Sequence, residues 1–418
     1  MKMWMVLCMC LLVLNGCGKR VQEKIQLKKP LVVVHGSGIE MNKVMNEIAR
    51  NFEKENAGIK LKLLPIEGSD YYAKLETMIA GGTAPDLMWM GKGFSNFVSR
   101  GVFLNIDSYI SKDKDMDLSR YYEKIVDLYR YEGSLYGFPY GFQSDLLFYN
   151  RDLFAREELA YPDDTWTWDT LIEAARRLTK DTDGNGKIDQ FGLGGYYWFS
   201  VLIQQNGGDI LDSSGTKCLL TRPEAVEAIQ FIGDLKNKYH VMPNIPILEY
   251  GKGEDDLFKM GRIAMYHSAR WLVKNLKEVK TLNWNVTLQP RAKIRSSWYS
   301  CDGFTISKNT KHPEEAWKFL KYTVSKDAQV FLTISATPSL KELAESDFYF
   351  AQTPAIHVHA FIDALEYARH DLRILNADEI SSKIDAKLEY VLVGTKTAKE
   401  ACEAATREIN KMLEKVDK

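Results

Sequence analysis

The sequence predicts an α/β protein built on a parallel sheet, and three observations support this fold class. Residues 31–34, LVVV, form a continuous apolar run that is typical of a strand buried on both faces. Strand-like and helix-like segments alternate along residues 31–90, and this order favours parallel strands joined by right-handed crossovers. A chain of 418 residues is longer than one hydrophobic core usually holds, so we expect two domains.

The first elements follow one another without long gaps. After the first apolar run, a helix is predicted from residues at helical spacing, namely Met41, Val44, Met45, Ile48 and Phe52. The stretch 59–63 alternates apolar residues with lysine and predicts a half-buried strand. Ser69 can act as the N-cap of a second helix, and residues 85–90 predict the third strand. Ligands of parallel sheets bind beyond the carboxyl ends of strands, so the loops at 35–38 and 89–93 are site candidates.

Three later segments predict further helices. Residues 221–224, TRPE, have the pattern of a capping box with a proline in the first turn, and the apolar face that follows ends at Leu235. Residues 313–322 and 398–416 also have helical patterns. The chain therefore continues as an α/β protein beyond its first sheet.

Charge and cysteine usage exclude some function classes. The net charge of -1 gives no reason to expect nucleic acid or an anionic membrane surface as a partner. Cys218, Cys301 and Cys402 are far apart in sequence, so they predict neither a disulfide framework nor a metal site. Beyond the first residues, no segment is apolar for long enough to cross a membrane.

The start of the chain predicts export. A lysine precedes an apolar run that suits the core of a signal peptide, which we place at residues 1–16. The run ends in LNGC, which resembles a bacterial lipobox, and Cys17 would then receive the lipid. Residues 17–29 would form a tether, and the protein would be anchored at the outer face of the cytoplasmic membrane. The alternative is ordinary secretory cleavage with Cys17 as a bystander.

Six motifs together resemble a known family, the extracellular solute-binding proteins of ABC importers, in the carbohydrate-binding class typified by maltose-binding protein. The six occur in the order of that family. They are GTAPDL at 82–87, LYGFPY at 135–140 with LFYNRDLF at 147–154, TWTWD at 165–169, QNGGD at 205–209, FKMGRIAM at 258–265, and DGFTIS at 302–307 with EEAWKFL at 314–320.

This resemblance implies a two-lobed periplasmic-binding-protein fold, in which each lobe is a mostly parallel sheet flanked by helices and hinge strands join the lobes. The expected bounds are residues 30–139 and 307–337 for lobe 1, 144–301 and 340–418 for lobe 2, and 139–144, 301–306 and 336–340 for the crossings. It also implies a monomer that holds a sugar or oligosaccharide between the lobes and delivers it to the permease subunits of an ABC transporter, without acting as an enzyme.

A sugar site needs aromatic rings for the C–H faces of the sugar and polar side chains for its hydroxyls. The positions that the resemblance marks supply three tryptophans, a set of hinge residues and a set from the first lobe: Trp271, Trp298 and Trp198; Tyr140, Gln143 and Asp302; Ser37, Ser69, Asp70 and Asp86. The alternative for each tryptophan is core packing. For Asp86 the alternative is a hydrogen bond to the backbone of its own loop.

Arg270 and three other basic residues bear on whether the ligand is charged. It adjoins Trp271, and Arg291, Lys293 and Arg295 precede Trp298. If some of these groups face the cleft, an acidic sugar such as a uronate oligomer becomes a candidate ligand, because arginine binds carboxylate in a bidentate manner. The alternative is a solvated basic loop.

The loop KDTDGNGKIDQFG at 180–192 begins like an EF-hand calcium loop but has Gly192 where the bidentate glutamate belongs. Some relatives of the class carry a similar loop that binds calcium structurally. The ligand set would be Asp181, Asp183, Asn185, Lys187 through its carbonyl, Asp189 and Gln190. The alternative is an Asx-type turn.

Two other functions compete with transport. A secreted carbohydrate-active enzyme would need two carboxyl groups at a set separation across one glycosidic bond, and the many acidic residues leave that pair open. A lipoprotein of the same fold would instead present its ligand to a membrane sensor. Copurification with permease subunits or with a kinase ectodomain separates transport from sensing.

Overall fold

The computed structural model describes residues 29–36, 38–91, 93–195, 198–243, 253–333, 335–353, 355, 357–370, 372, 374 and 376–416. The predicted signal peptide and lipidation site, Cys17, lie outside the described residues, as does Ser37. Within the described part of the chain, no helix combines the length and apolar character that a membrane span requires.

The strands are short and fall into two main sheets. In chain order they are β1 Leu31–Gly36, β2 Leu61–Ile66, β3 Leu87–Met90, β4 Arg130–Tyr131, β5 Ser134–Leu135, β6 Gly137–Ser144, β7 Leu146–Asn150, β8 Phe191–Gly195, β9 Ile263–Ser268, β10 Trp284–Thr287, β11 Ser297–Ile306, β12 Thr337–Pro338 and β13 Ala368–Arg369.

The helices flank these sheets. In chain order they are α1 Ile39–Glu55, α2 Tyr71–Ala80, α3 Phe94–Val98, α4 Asp107–Lys112, α5 Glu123–Val126, α6 Arg151–Arg156, α7 Trp168–Leu178, α8 Phe199–Gln205, α9 Pro223–Asn237, α10 Glu254–Lys259, α11 Trp271–Leu276, α12 Pro313–Thr323, α13 Lys326–Gln329, α14 Lys341–Ala344, α15 Asp347–Ala351, α16 Ala360–Tyr367, α17 Ala377–Leu392 and α18 Ala398–Val416. Short 3₁₀ helices lie at Gly68–Asp70, Leu118–Arg120 and Asp127–Tyr129.

The first sheet has the strand order β12-β6-β11-β3-β1-β2, and β13 pairs with the far end of β11. Strands β1, β2 and β3 are parallel, as their β-α-β-α-β order predicts. The strand predicted at 59–63 begins two residues later and continues through Pro65 to Ile66. Proline is tolerated there because β2 lies at the edge of the sheet.

The second sheet has the order β10-β7-β9-β8. Strands β8 and β9 are parallel, whereas β7 is antiparallel to both of its neighbours. The chain passes from β6 of the first sheet to β7 of the second sheet with one residue, Asp145, between the two strands. The direction of β7 is therefore set by this crossing. Side chains of β7 alternate between two hydrophobic clusters, Leu147 and Tyr149 on one face and Leu146 and Phe148 on the other. The sheet is therefore covered on both faces.

The two sheets form two lobes joined by β6 and β11, which pair along Gly137–Ser144 and residues 299–305. The third crossing predicted at 336–340 contains β12, which pairs with β6. Leu340 and Leu343 pack in the hydrophobic cluster of the first lobe, and helices α17 and α18 pack in a cluster of the second lobe. The two-lobed α/β class is confirmed, and the lobe boundaries stay predictions.

The N-terminal caps of two helices differ from the sequence expectation. The capping box predicted at 221–224 does not form, because the N-cap of α9 is Arg222, without a side-chain cap, and Pro223 opens the helix. A capping box does form at α7, where the Thr167 hydroxyl accepts the Thr170 N–H and the Thr170 hydroxyl accepts the Thr167 N–H.

Candidate functional site

A cavity of about 970 Å³ lies between the two lobes. The first lobe contributes the loop after β3, with Gly91 and Gly93, and the second lobe contributes Trp198 at the start of α8. The hinge strand β11 forms its floor through Tyr299 and Cys301. The cavity therefore lies at the carboxyl end of β3, where parallel sheets bind ligands.

Three predicted tryptophans form one aromatic cluster at this cavity. The rings of Trp198 and Trp298 are stacked, with centroids 4.6 Å apart and planes 10° apart. Trp271 meets both rings edge-on, at 6.2 Å from Trp198 and 6.0 Å from Trp298. Trp298 is 4 % exposed in β11, whereas Trp198 and Trp271 are half-buried. Of the three, Trp198 lines the cavity, and its ring packs against the other two.

A buried carboxylate anchors the strand that leads to Trp198. Oε2 of Glu254 accepts the backbone N–H of Gly195 at 2.6 Å, and none of Glu254 is exposed. Gly195 has φ 106, and a side chain there would collide with the backbone of His267. Burial raises the pKa of Glu254 to about 7, because its charged form is desolvated.

The hinge residues occupy three different environments. The Tyr140 hydroxyl is buried and accepts a hydrogen bond from Trp89 Nε1 at 3.0 Å, so Tyr140 belongs to the core of the first lobe. The side-chain amide of Gln143 donates to Ser335 O at 2.8 Å. Asp302 is half-buried behind Gly91, and burial raises its pKa to about 7. Asp302 adjoins two residues that line the cavity, Gly91 and Cys301.

Asp86 lies at the wrong end of its strand to meet this cavity. It precedes β3, and its two carboxylate oxygens accept Val32 N at 2.8 Å and the Thr310 hydroxyl at 2.5 Å. Those bonds tie β1 and the segment after β11 to the amino end of β3. The alternative given for Asp86, a hydrogen bond to the backbone of its own loop, does not describe these side-chain contacts, because Val32 belongs to β1 and Thr310 bonds through its hydroxyl.

The other first-lobe candidates lie after β2. Asp70 is exposed and forms an ion pair with Lys74 at 3.3 Å. Ser69 is in the 3₁₀ helix Gly68–Asp70 rather than at the N-cap of α2, which is Asp70. The side chain of Ser69 lies outside the described residues, so its ligand role stays a prediction.

Arg270 does not reach the cavity surface. Its side chain is fully buried, with Nη2 donating to Thr333 O at 2.8 Å and Nη1 to the Thr353 hydroxyl. The guanidinium also lies over the rings of Tyr349, 4.7 Å from the centroid, and Phe361. Arg270 therefore joins the segment after α13 to the second lobe, instead of presenting a charge to a ligand.

The comparisons with known proteins agree with this geometry. Residues 35–330, well over half of the chain, match the family described as bacterial extracellular solute-binding protein. The chain belongs to this family. This is a family of binding proteins rather than a family of enzymes.

Several relatives of this solute-binding protein cover most of its length. A protein described as a putative binding protein of Brucella abortus is 27 % identical over 83 % of this chain and 84 % of its own. The maltodextrin-binding protein MdxE of Bacillus subtilis is 25 % identical over 69 % of this chain and 67 % of its own. The structure of the ABC substrate-binding protein Lmo0181 from Listeria monocytogenes in complex with cycloalternan has a TM-score of 0.84 at 28 % identity, and covers 92 % of this chain and 99 % of its own.

The loop at 180–192 of the solute-binding protein is closed by hydrogen bonds to its own backbone. Asp181 accepts the N–H groups of residues 184, 185 and 186, and the Asn185 side chain accepts Lys187 N at 2.8 Å. Both oxygens of Asp189 are hydrogen-bonded to Thr182. These contacts are those of nested Asx-type turns.

The fit of this loop to calcium is incomplete. The sixth predicted ligand, Gln190, is buried, and its Nε2 donates to Leu178 O at 2.8 Å. Over the described ranges of the chain, no group of three or more His, Cys, Asp or Glu side chains is placed to hold a metal ion. The Asp183 carboxylate also accepts Asn185 N at 3.1 Å. Calcium binding therefore stays a prediction.

Sequence reasoning missed much of the lining of the cavity, on both lobes. The missed residues come from the first lobe, the segment after α16 and one face of α17: Tyr72, Asn96, Lys124, Tyr129, Arg369, His370, Asp378, Ser381, Ser382 and Asp385. A signal for α17 was present, because its polar residues alternate at helical spacing with buried Ile380, Ile384 and Leu388. That pattern predicts an amphipathic helix but not the surroundings of its polar face.

Proposed function

We propose that this solute-binding protein binds a sugar or oligosaccharide in its interlobe cavity and delivers it to the permease of an ABC transporter. The observation that carries the proposal is the half-buried Trp198 at the cavity wall, whose ring stacks on that of Trp298. Aromatic faces of this kind pack against the C–H faces of sugar rings. The names of the maltodextrin-binding relative and of the cycloalternan complex support the same ligand class.

Lobe closure is the proposed mechanism. The lobes already meet at the cavity edge, where Asn96 of α3 accepts the backbone N–H of Asn376 at 2.9 Å. A ligand that contacts Trp198 on one lobe and the loop after β3 on the other has more contacts when the lobes are closed. Its binding therefore favours the closed form, which the permease would recognise.

A thermal-shift screen against a glycan library tests the proposal. A glycan that binds the native state and not the unfolded chain raises the melting temperature, and calorimetry then gives its Kd. Recovery of the bound glycan intact supports binding without catalysis. Cleaved glycan after incubation would instead assign an enzyme, and a library without any stabilising glycan would end the sugar-binding proposal.

Anchoring and partners form the second part of the proposal. Lipid on Cys17 would hold a monomer at the outer face of the cytoplasmic membrane, within reach of the permease. Replacing Cys17 with serine should release the protein from the membrane fraction and abolish labelling with a clickable fatty acid. Crosslinking in the native membrane should recover permease subunits, whereas recovery of a sensor kinase would favour ligand presentation.

A further inference from the structure

Helix α8 contacts both the hydrophobic core of the second lobe and the cavity. Leu202 and Ile203 pack in that core. Ser200 and Gln204 line the cavity, and because they are four residues apart they lie one turn apart on the same side of the helix. The helix begins directly after Trp198. An aromatic ring and two polar side chains of the second lobe therefore border the same space.

The side chain of Gln204 is held in one orientation by the segment before β11. The Ser296 hydroxyl donates to Gln204 Oε1 at 2.9 Å, and Ser296 is fully buried. Gln204 itself is 7 % exposed. Among the residues that the structure describes, none accepts a hydrogen bond from Gln204 Nε2. Since Oε1 is occupied by Ser296, the polar atom of Gln204 that is left for a ligand is Nε2.

The next residue, Gln205, has a different arrangement. Its Oε1 accepts a hydrogen bond from Trp168 Nε1 at 2.7 Å, and its Nε2 donates to Ser296 O at 2.9 Å. Both ends of this amide are engaged by the protein, and Gln205 does not belong to the described lining of the cavity. A buried donor without an acceptor is costly unless a ligand or water satisfies it. Of the two glutamines, the one with such a donor is the one that lines the cavity.

We propose that Gln204 is a specificity-determining residue of the cavity, and that its Nε2 donates a hydrogen bond to a hydroxyl oxygen of the bound sugar. This inference rests on the proposed sugar-binding function and adds a polar contact from the second lobe. Because Ser296 occupies Oε1, Gln204 acts towards the ligand as a donor. A ligand that lacks an oxygen at this place leaves the buried donor unpaired, so the site discriminates against it.

The test combines removal of ligand hydroxyls with removal of the Gln204 amide. The probe is maltotriose, or another library glycan if that glycan stabilises the protein more strongly. Calorimetry compares the probe with monodeoxy analogues that each lack one hydroxyl. We expect the wild type to bind at least one analogue about tenfold more weakly than the parent glycan. Gln204→Met, which keeps the side-chain length but has no donor, should bind that analogue and the parent glycan equally well.

Gln205→Met is the matched control, because it removes a buried amide from the same helix away from the cavity. It should lower the melting temperature and keep the sensitivity of the wild type to each hydroxyl. Gln204→Leu replaces Gln204→Met if melting curves show that the methionine variant does not fold. A glutamine with only a structural role would change the affinities for the parent glycan and for all analogues by one common factor. That result would overturn the role of Gln204 and leave sugar binding in place, whereas no binding by any library glycan would remove both proposals.

Discussion

Replacing Trp198 with alanine directly tests whether the aromatic cluster at the cavity binds the ligand. Trp198 is half-buried and lines the cavity, so its removal takes away a ring face without opening the core. A central aromatic anchor contributes about 2 kcal/mol to binding, which corresponds to a roughly 30-fold increase in Kd. The lost stack on Trp298 should cost about 1 kcal/mol of stability, or about 2–4 °C in melting temperature. Trp298 is a poorer target, because a buried Trp→Ala change costs about 3–5 kcal/mol.

The assay is calorimetry with the tightest glycan from the library, alongside thermal melting. Trp168→Ala is the matched control, since Trp168 also stacks on another ring, Phe231, at 3.8 Å and donates from Nε1 to Gln205 at 2.7 Å. It lies in the second lobe but does not line the cavity. We expect the control to lose stability and keep its Kd. Equal Kd values for wild type and Trp198→Ala would refute the assignment of this ring to the ligand.

The other predictions use different readouts. Trp271→Ala should weaken glycan binding about tenfold in calorimetry, because Trp271 braces both stacked rings, while melting still shows a folded protein. Burial raises the pKa of Glu254 from 4.5 to about 7, so its stabilising contribution is present below pH 4.5 and is lost as pH rises towards 7. The free energy of unfolding in urea should therefore fall by about 3 kcal/mol less between pH 4.5 and 7 for Glu254→Gln than for the wild type. The same pH dependence of stability in both proteins would contradict this role of Glu254. Calcium should raise the melting temperature of the wild type and of Asp212→Asn, a control in a different loop, but not of Asp181→Asn. If calcium does not change the melting temperature of the wild type, the loop at 180–192 is an Asx-type turn.

The parallel arrangement of β1, β2 and β3 was predictable because it depends on local patterns. The apolar run of β1, the periodicity of α1 and the position of β3 each appear in a few consecutive residues, and the right-handed crossover rule then fixes the parallel arrangement. Trp198, Trp271 and Trp298 were each proposed for the site from the sequence, but the contact among their three rings was not predicted. Asp86 shows the limit of motif reasoning, because its side chain lies at the amino end of β3 and the cavity lies at the carboxyl end.

The α17 wall was not predictable in the same way. Its place at the cavity depends on how α17 packs against α18 and α9 and on the position of the lobes, none of which is encoded within the helix. Asn376 enters α17 with φ 58 and donates to Asn96 across the cavity edge. Such a contact joins segments 280 residues apart, so it becomes visible only in the folded chain.

The composition of the cavity links recognition to closure. Its walls come from the loop after β3, the hinge strand β11 and helix α17, so a ligand that touches all three is bound fully only when the lobes are together. The hydrogen bond from the Asn376 N–H to the Asn96 side chain, at the cavity edge, contributes only about 1 kcal/mol. Closure without a ligand is therefore weakly favoured at most. The ligand must supply the remaining free energy through contacts that exist only in the closed form, so that the contacts that bind the ligand also decide when the lobes close.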